Sequence, residues 1–301
     1  MMMNGVLKRK IRENFVAYAF MAPALVIIAL FVVYPIIYSI PLAFTDYSGV
    51  NPVVNYVGWD NFSKAVHSDD FWIAIKHSVM FVLVVPIIQV LSIMLASLVN
   101  RKLPGMSFFR VLFYIPVVTS MIAVSIIWNW IFEESGILNS ILINVGLMKD
   151  PVLWLGDANL ALFTLMFITI WQGLGYYMML YLAGLQSLSP EMEEAAIIDG
   201  ASRFKTFIKI KIPLLKPYVW FCSLMSVISA VSVFDVVFAM KDDGGPDNAT
   251  MVANLYSYRK AFIDFDFGYS AAVGVLVSIV ILALSTFVFI YGRRGGMNNN
   301  E

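Results

Sequence analysis

The chain has 301 residues, of which 60% are hydrophobic and 13% are charged, and its mean hydropathy is +0.80. A soluble protein cannot bury that much apolar surface, so the composition excludes a soluble globular domain and indicates a polytopic membrane protein. The formal net charge is zero, which gives no reason to expect nucleic acid as a partner. Cys222 is the single cysteine, which excludes an intrachain disulfide and a four-cysteine metal site.

Six uncharged apolar runs are long enough to cross a bilayer, which takes about 20 residues. They cover residues 15–44, 79–99, 111–132, 160–188, 218–234 and 268–292. The first run would be about 45 Å long as a single helix, so it must tilt, kink at its prolines or project beyond the bilayer. We therefore predict an all-α fold with six transmembrane helices at 15–292, flanked by tails at 1–14 and 293–301.

Lysine and arginine are distributed unevenly between alternate loops. With the N terminus inside, 14 of the 20 basic residues fall in the inside segments 8–12, 101–110, 203–216 and 293–294. The outside segments then hold the other six, which are Lys64, Lys76, Lys149, Lys241, Arg259 and Lys260. Because basic loops are retained on the cytoplasmic side, both tails are predicted to be cytoplasmic. The first run has no small-residue cleavage site after a short core, so we expect a retained span and not a signal peptide.

The fourth run contains polar groups that are candidates for substrate contact, because polar side chains inside a bilayer are costly. Gly173, Tyr176 and Tyr177 combine a small residue with two rings that can stack on a sugar and donate a hydrogen bond. Ordinary packing between helices explains these residues equally well.

The segment 189–216, between the fourth and fifth runs, is the only long charged amphipathic stretch. Ser189 suits the start of a first, acidic helix, and Gly200 suits its end. Ser202 suits the start of a second, basic helix, and Pro213 begins the break that follows it. The pattern predicts a helical hairpin on the cytoplasmic side of the membrane.

Part of this hairpin resembles the EAA loop of permease subunits in binding-protein-dependent ABC importers. The pattern is E-A-A-x-x-x-G, nine residues, then I-x-L-P, and the chain departs from it only in having Ile212 in place of leucine. The resemblance implies a coupling helix that docks into a groove of a cytoplasmic ATPase; a charged loop that happens to be helical is the alternative. The residues implied in coupling are Glu194, Ala195, Ala196, Asp199, Gly200, Ile210 and Pro213.

The fifth run carries a serine at every third position from 223 to 232. A three-residue step falls about 60° short of a full helical turn, so the row winds around the helix and only neighbours can act together. Helix packing accounts for most of these serines. Ser229, Ser232 and Asp235 remain candidates for the translocation path. We place Asp235 at the outer end of the run as the only acid within a span, where it is either solvated or lines the path.

The segments that follow narrow the resemblance to sugar-type permeases. Three stretches are similar to that branch: G-G-P-x-x-A-T at 244–250, L-Y-x-Y-x-x-A-F at 255–262 and the G-Y-S-A-A start of the last run. Permeases of that branch handle oligosaccharides, related sugars and glycerol 3-phosphate. In maltose-type permeases the stretch that resembles 172–177 lines the sugar site, which favours Gly173 and Tyr176.

This resemblance implies a complex in a bacterial cytoplasmic membrane. Its other members would be a second permease subunit in a heterodimer, two ABC ATPase subunits that bind ATP and Mg, and an extracytoplasmic solute-binding protein. The chain has no G-x-x-x-x-G-K-[ST], G-x-S-x-G or H-E-x-x-H, and two isolated histidines, so we expect it to hold no cofactor, metal or catalytic site.

The predicted function is therefore import of a carbohydrate, driven by separate ATPase chains. Import of a non-sugar solute by the same kind of permease is one alternative. A secondary transporter is another, although it would need an ion relay near the midplane and often two related halves. A membrane-embedded enzyme would need clustered ionisable groups inside the spans, whereas Asp235 stands alone.

Overall fold

The fold is known from a computed structural model that describes residues 14, 16, 18–51, 53–101 and 103–292. It is all-helical, as predicted, and the described residues form no strand beyond one isolated bridge between Thr45 and Tyr56. Apart from residue 14, the predicted tails at 1–14 and 293–301 lie outside the described residues. So do the basic residues at 8–12 and 293–294, on which the predicted orientation partly rests.

Within the described residues, most helices follow one another with short connections, and longer connections lie at 43–59, 145–160 and 241–252. In chain order the helices are α1 (Tyr18–Leu42), α2 (Asp60–Val66), α3 (Asp69–Val99), α4 (Met106–Val118), α5 (Met121–Asn144), α6 (Ala161–Gln186), α7 (Pro190–Ile198), α8 (Arg203–Leu214), α9 (Lys216–Val231), α10 (Asp235–Met240), α11 (Ala253–Phe262) and α12 (Phe267–Gly292). Helix α5 is interrupted between Phe132 and Ile137.

Five of these helices, α1, α3, α5, α6 and α12, are long and apolar enough to cross a bilayer. Helices α8 and α9 add a sixth candidate if the pair counts as one broken span, which is bent by 67°. The structure therefore agrees with the predicted six-span fold.

The third predicted run, 111–132, is not one helix, because α4 ends at Val118 and α5 begins at Met121. Thr119 has an extended ψ of 137°, and its hydroxyl donates to the Ile115 carbonyl oxygen at 2.8 Å. Such a local side-chain bond competes with the helical ladder. An apolar run alone could not reveal this break.

Helix α1 contains a π-helical turn at Ala29–Val33, just before Pro35. Proline lacks the N–H that would continue the ladder, and a π turn accommodates the interruption. Next to Pro35 the helix therefore changes its pitch locally. The apolar window of α1 is not buried within the chain, so its side chains face the surroundings.

The chain forms two compact units. In the unit with residues 18–65 and 260–275, the buried Asn61 of α2 ties down the loop after α1. Its Nδ2 donates to the carbonyl oxygens of Ala43 at 3.0 Å and Thr45 at 2.8 Å. The ring of Phe44 meets Trp59 edge-on, with centroids 5.0 Å apart. These contacts give the loop a fixed conformation.

The other unit, with residues 66–259 and 276–292, has its core between α3 and α6, where side chains such as Ile88 and Leu165 are buried. Glycines let α6 approach its neighbours. A Cβ at Gly173 would lie 2.6 Å from Ile88 Cδ1, and one at Gly175 would strike the Phe113 carbonyl oxygen of α4. The helices pack this closely because those positions lack a side chain.

A buried polar network also joins three helices of this unit. Gln89 of α3, 6% exposed, donates from Nε2 to Ser226 Oγ at 2.7 Å and to the Cys222 carbonyl oxygen at 3.2 Å, both on α9. Its Oε1 accepts from the Tyr181 hydroxyl of α6. Because an unpaired buried polar group costs about 1–3 kcal/mol, this network fixes the register of α3, α6 and α9.

Candidate functional site

The charged segment at 189–216 folds into two helices, α7 and α8, as predicted. Ser189 caps the N terminus of helix α7, because its Oγ accepts from the Glu191 N–H at 3.3 Å, and Pro190 occupies the first helical position. Proline suits that position because its missing N–H would have no helical partner there. Glu191 and Glu193 lie in the first turn, where their carboxylates stabilise the positive end of the helix dipole.

The corner of the hairpin is a Schellman turn centred on Gly200. The Gly200 N–H donates to the Ile197 carbonyl oxygen at 3.0 Å, and the Ala201 N–H donates to that of Ala196 at 2.9 Å. Gly200 has a φ of +78°, and a Cβ there would meet nothing within 4 Å. The position therefore requires glycine because of backbone conformation and not for lack of space. The predicted stop at Gly200 is confirmed.

Helix α8 begins after Ser202, whose Oγ accepts from the Lys205 N–H at 3.3 Å. It continues through a π turn at Phe207–Lys211 and ends at Leu214. The bend into α9 falls at Leu215, shortly after Pro213, where the break was expected to begin.

One ion pair joins the two helices of the hairpin. Lys211 Nζ of α8 lies 2.7 Å from Glu193 Oε2 of α7, and the lysine side chain is 21% exposed. The two residues lie 18 positions apart in the sequence, so their pairing requires the two helices to be folded against each other. The pair therefore favours the arrangement in which α7 and α8 lie against each other.

The hairpin presents apolar side chains to its surroundings. Ile198 is 85% exposed and Phe204 is 77% exposed. Glu194 and Ala195 are also exposed, and among the described residues no cation lies within ion-pairing distance of Glu194. A mixed surface with a small residue, exposed hydrophobic side chains and an unpaired carboxylate is typical of a helix that docks into a groove.

The remaining residues implied in coupling fall on both helices. Ala196 is buried, and Asp199 is exposed beside the corner. On α8, Ile210 is half-buried and Pro213 is exposed.

Helix α6 carries the residues considered for the substrate path. Tyr176 is 39% exposed, whereas Tyr177 is 7% exposed, and their rings meet edge-on with centroids 5.2 Å apart. Gly173 lies against Ile88, so helix packing accounts for it. Tyr176 is the member of this set whose ring is open to the surroundings of α6.

The serines of α9 wind around the helix as predicted: Ser226 is buried, Ser229 is exposed and Ser232 is half-buried. The Ser232 carbonyl oxygen accepts from Asn254 Nδ2 at 2.8 Å. These serines therefore do not form one polar face.

Asp235 does not lie within a span, contrary to expectation. Helix α9 ends at Val231, and Asp235 starts the separate six-residue helix α10 with its side chain exposed. Phe234 breaks the helix with φ −147° and ψ −55°, values far from the helical region.

In the part of the chain that the structure describes, no group of three or more His, Cys, Asp or Glu residues could hold a metal ion. His77 Nδ1 instead lies 3.0 Å from the Met251 carbonyl oxygen.

Residues 88–294 match the family described as the binding-protein-dependent transport system inner membrane component. The chain belongs to this family. It is therefore an ABC transporter permease subunit, a multi-pass membrane protein with a transport role. The resemblance stated from the EAA-like hairpin is confirmed, and the secondary-transporter alternative is wrong.

Two relatives and one solved structure illustrate how similar this permease is to known proteins. It is 32% identical over 308 residues to the diacetylchitobiose uptake system permease protein NgcF of Streptomyces coelicolor. That alignment covers 98% of this chain and 87% of the relative. It is 32% identical over 281 residues to the lactose transport system permease protein LacF of Rhizobium radiobacter, covering 92% and 94%. Its fold resembles a chain of a bacterial alginate ABC transporter, solved in complex with an alginate pentasaccharide-bound periplasmic protein. The TM-score is 0.81 at 23% identity, over 95% of this chain and 96% of that one.

Proposed function

We propose that this permease imports a carbohydrate into a bacterial cell by alternating access, driven by ATP hydrolysis on separate chains. The substrates named for its relatives support the substrate class, since NgcF serves diacetylchitobiose uptake and LacF serves lactose transport. The solved alginate transporter shares the same fold.

The proposed assembly contains this chain, a second permease subunit, two ABC ATPase subunits that bind ATP and Mg, and an extracytoplasmic solute-binding protein. Membrane lipid surrounds the spans, and no nucleic acid takes part. The periplasmic protein in the solved alginate complex supports the binding-protein partner. The distribution of lysine and arginine supports a cytoplasmic location for both termini and for the hairpin α7–α8.

The observation that carries this proposal is the exposed hairpin and its attachment to two spans. Residues 187–189 alone separate α6 from α7, and Leu215 alone separates α8 from α9. The pair between Glu193 and Lys211 links α7 to α8. A partner that displaces the hairpin therefore pulls on α6 and α9 at once, which couples its motion to the spans.

In this mechanism the ATPase grips α7 through Ala195 and Ile198 and through the charge of Glu194. Exposed apolar side chains and an unpaired carboxylate are the parts that a groove with a basic residue would recognise. The residues Ala196, Asp199, Gly200, Ile210 and Pro213 set the shape of the hairpin. ATP binding would close the ATPase pair and turn the spans outward, and hydrolysis would release the sugar inward.

The translocation path in this proposal runs along α6 past Tyr176, whose exposed ring can stack on a sugar. Tyr177 meets that ring edge-on, and Gly173 lies about one turn earlier on the same helix. Ser229 on α9, Ser232 just after it and Asp235 at the start of α10 would offer hydrogen bonds along the same path.

The experiment that tests this function replaces Glu194 with lysine in the reconstituted complex. The reversed charge should release the ATPase or uncouple hydrolysis from transport, because Glu194 is exposed and available to a partner. Glu191→Lys is the matched control, since it makes the same change on the same helix, one turn earlier. Co-purification of the ATPase and transport per ATP hydrolysed are measured. Equal effects of the two substitutions, or no effect of Glu194→Lys, would contradict the proposal.

A further inference from the structure

A cavity of about 610 Å³ lies between the hairpin and the ends of α3 and α6. Ligand pockets in proteins range from about 300 to 1,000 Å³, so this cavity is large enough for an organic ligand and larger than a lone inorganic ion needs. The end of α3 contributes Asn100 and Arg101, and the hairpin contributes Glu193, Arg203 and Lys211. Its walls therefore come from both the spans and the coupling hairpin.

The charges on these walls favour an anion. Lys211 is neutralised by Glu193 at 2.7 Å, whereas no carboxylate of the described residues lies within ion-pairing distance of Arg101 or Arg203. Four charged side chains line the cavity, of which three are cations and one is an anion. The cavity therefore has a net excess of two positive charges. Guanidinium groups bind phosphate through paired N–H donors, so a phosphate group matches the two arginines.

The other lining side chains favour an amphipathic ligand. Leu185 and Leu188 at the end of α6 face the cavity, as do Phe207, Ile210 and Leu214 of α8. Apolar walls next to unpaired arginines, at the ends of membrane helices, are the environment that an acyl chain and its headgroup need. Basic pockets between membrane helices on the cytoplasmic side are known to bind anionic lipid headgroups.

We propose that this cavity binds the phosphate group of an anionic phospholipid of the cytoplasmic leaflet. The choice of leaflet rests on the proposed function, which places the hairpin in the cytoplasm. The bound lipid would bridge Arg101 of the spans and Arg203 of the hairpin. It would therefore stabilise one position of the hairpin, and the lipid composition of the membrane would tune how strongly ATP hydrolysis is coupled to transport.

Lipid binding is tested by native mass spectrometry of the purified full chain released from vesicles of phosphatidylglycerol or of neutral phosphatidylcholine. The parent should retain phosphatidylglycerol selectively. The double substitution Arg101→Gln and Arg203→Gln should weaken retention about 30-fold, since each basic residue near a membrane surface contributes about fivefold. Glu193→Gln should strengthen retention about fivefold, because it leaves Lys211 unpaired. A purely structural role of Glu193 does not produce that increase.

The matched control is the double substitution Lys205→Gln and Lys209→Gln, which removes two exposed cations of the same helix that do not line the cavity. It should leave retention within about twofold of the parent. Equal loss in both double variants would overturn the proposal, because it would indicate attraction to the basic hairpin as a whole. Absence of selective phosphatidylglycerol retention in the parent would also overturn it.

Soluble phosphate esters carry the same chemistry, so glucose 6-phosphate and inorganic phosphate are tested as competitors. If these competitors displace the lipid only at concentrations far above physiological levels, the result supports a phospholipid as the ligand. Tight binding of a soluble ester without lipid retention would overturn the proposal. These measurements use the isolated chain and do not depend on transport. A failure here therefore leaves the carbohydrate import proposal standing, and a failure of import leaves the lipid site testable.

Discussion

Replacing Gly200 with alanine tests whether the corner between α7 and α8 transmits motion. Gly200 has a φ of +78°, a conformation that costs a residue with a Cβ about 1–2 kcal/mol. A Cβ at this position would meet nothing within 4 Å, so the backbone is the only source of the cost. An energy of that size shifts the population of the native corner by a factor of about 5 to 30. The spans themselves should remain folded.

The assay is transport per ATP hydrolysed, measured in liposomes that contain the complete transporter and its binding protein. Gly200→Ala should lower this ratio about fivefold or more, because the strained corner relaxes and loosens the angle between the helices. Gly200→Asn should have a smaller effect, since asparagine enters the left-handed region more readily than other residues with a Cβ. This order separates backbone strain from side-chain volume, since asparagine is larger than alanine.

Gly146 provides a matched control within the same chain. It also has a φ of +78°, a Cβ there would also meet nothing within 4 Å, and it lies after α5, away from the hairpin. Gly146→Ala should therefore cost similar folding free energy without lowering transport per ATP. Parental coupling in Gly200→Ala, or an equal loss in Gly146→Ala, would refute the reasoning.

Three further predictions concern the substrate path, the buried network and the topology. Tyr176→Ala should lower transport at subsaturating substrate about fivefold, because it removes about 1 kcal/mol of stacking or hydrogen bonding. The ATPase should still co-purify, and transport equal to that of the parent would mean that the ring only packs. Gln89→Leu should lower the free energy of unfolding by about 1–3 kcal/mol, seen as a lower melting temperature in detergent, because it removes the amide oxygen that accepts from the buried Tyr181 hydroxyl. The control Gln172→Leu removes an amide with no hydrogen bond among the described residues, and an equal shift in both would argue against the network. A reporter active only in the cytoplasm should work when fused after Lys216 and fail after Asp150, and the reverse pattern would remove the coupling role of the hairpin.

The sequence alone determined those features of this permease that depend on neighbouring residues. The hairpin shows this most clearly, because its caps at Ser189 and Ser202 and its corner at Gly200 involve hydrogen bonds within a few positions along the chain. The number and order of the spans were predictable for a similar reason, since a bilayer requires long uncharged runs. The spacing of the EAA-like pattern was equally local, and the family match confirms the kind of permease that it indicated.

Two differences between expectation and structure arise where an apolar run does not follow one helical path. The third run breaks at Thr119, and the fifth ends before Phe234, which leaves Asp235 outside the span. Hydropathy reports only that a residue is compatible with lipid, so it cannot distinguish one long helix from two shorter ones.

Only the tertiary structure decided which distant residues meet. The amide of Gln89 has its partners on α6 and α9, at Tyr181 and Ser226, and no local pattern marks these residues as a network. The cavity with Arg101 and Arg203 likewise requires the end of α3 to face α8. Such contacts depend on how helices far apart in the chain pack against one another. That packing follows from side-chain shape and hydrogen bonding across the whole bundle, whereas periodicity along the chain records only which face of each helix is apolar.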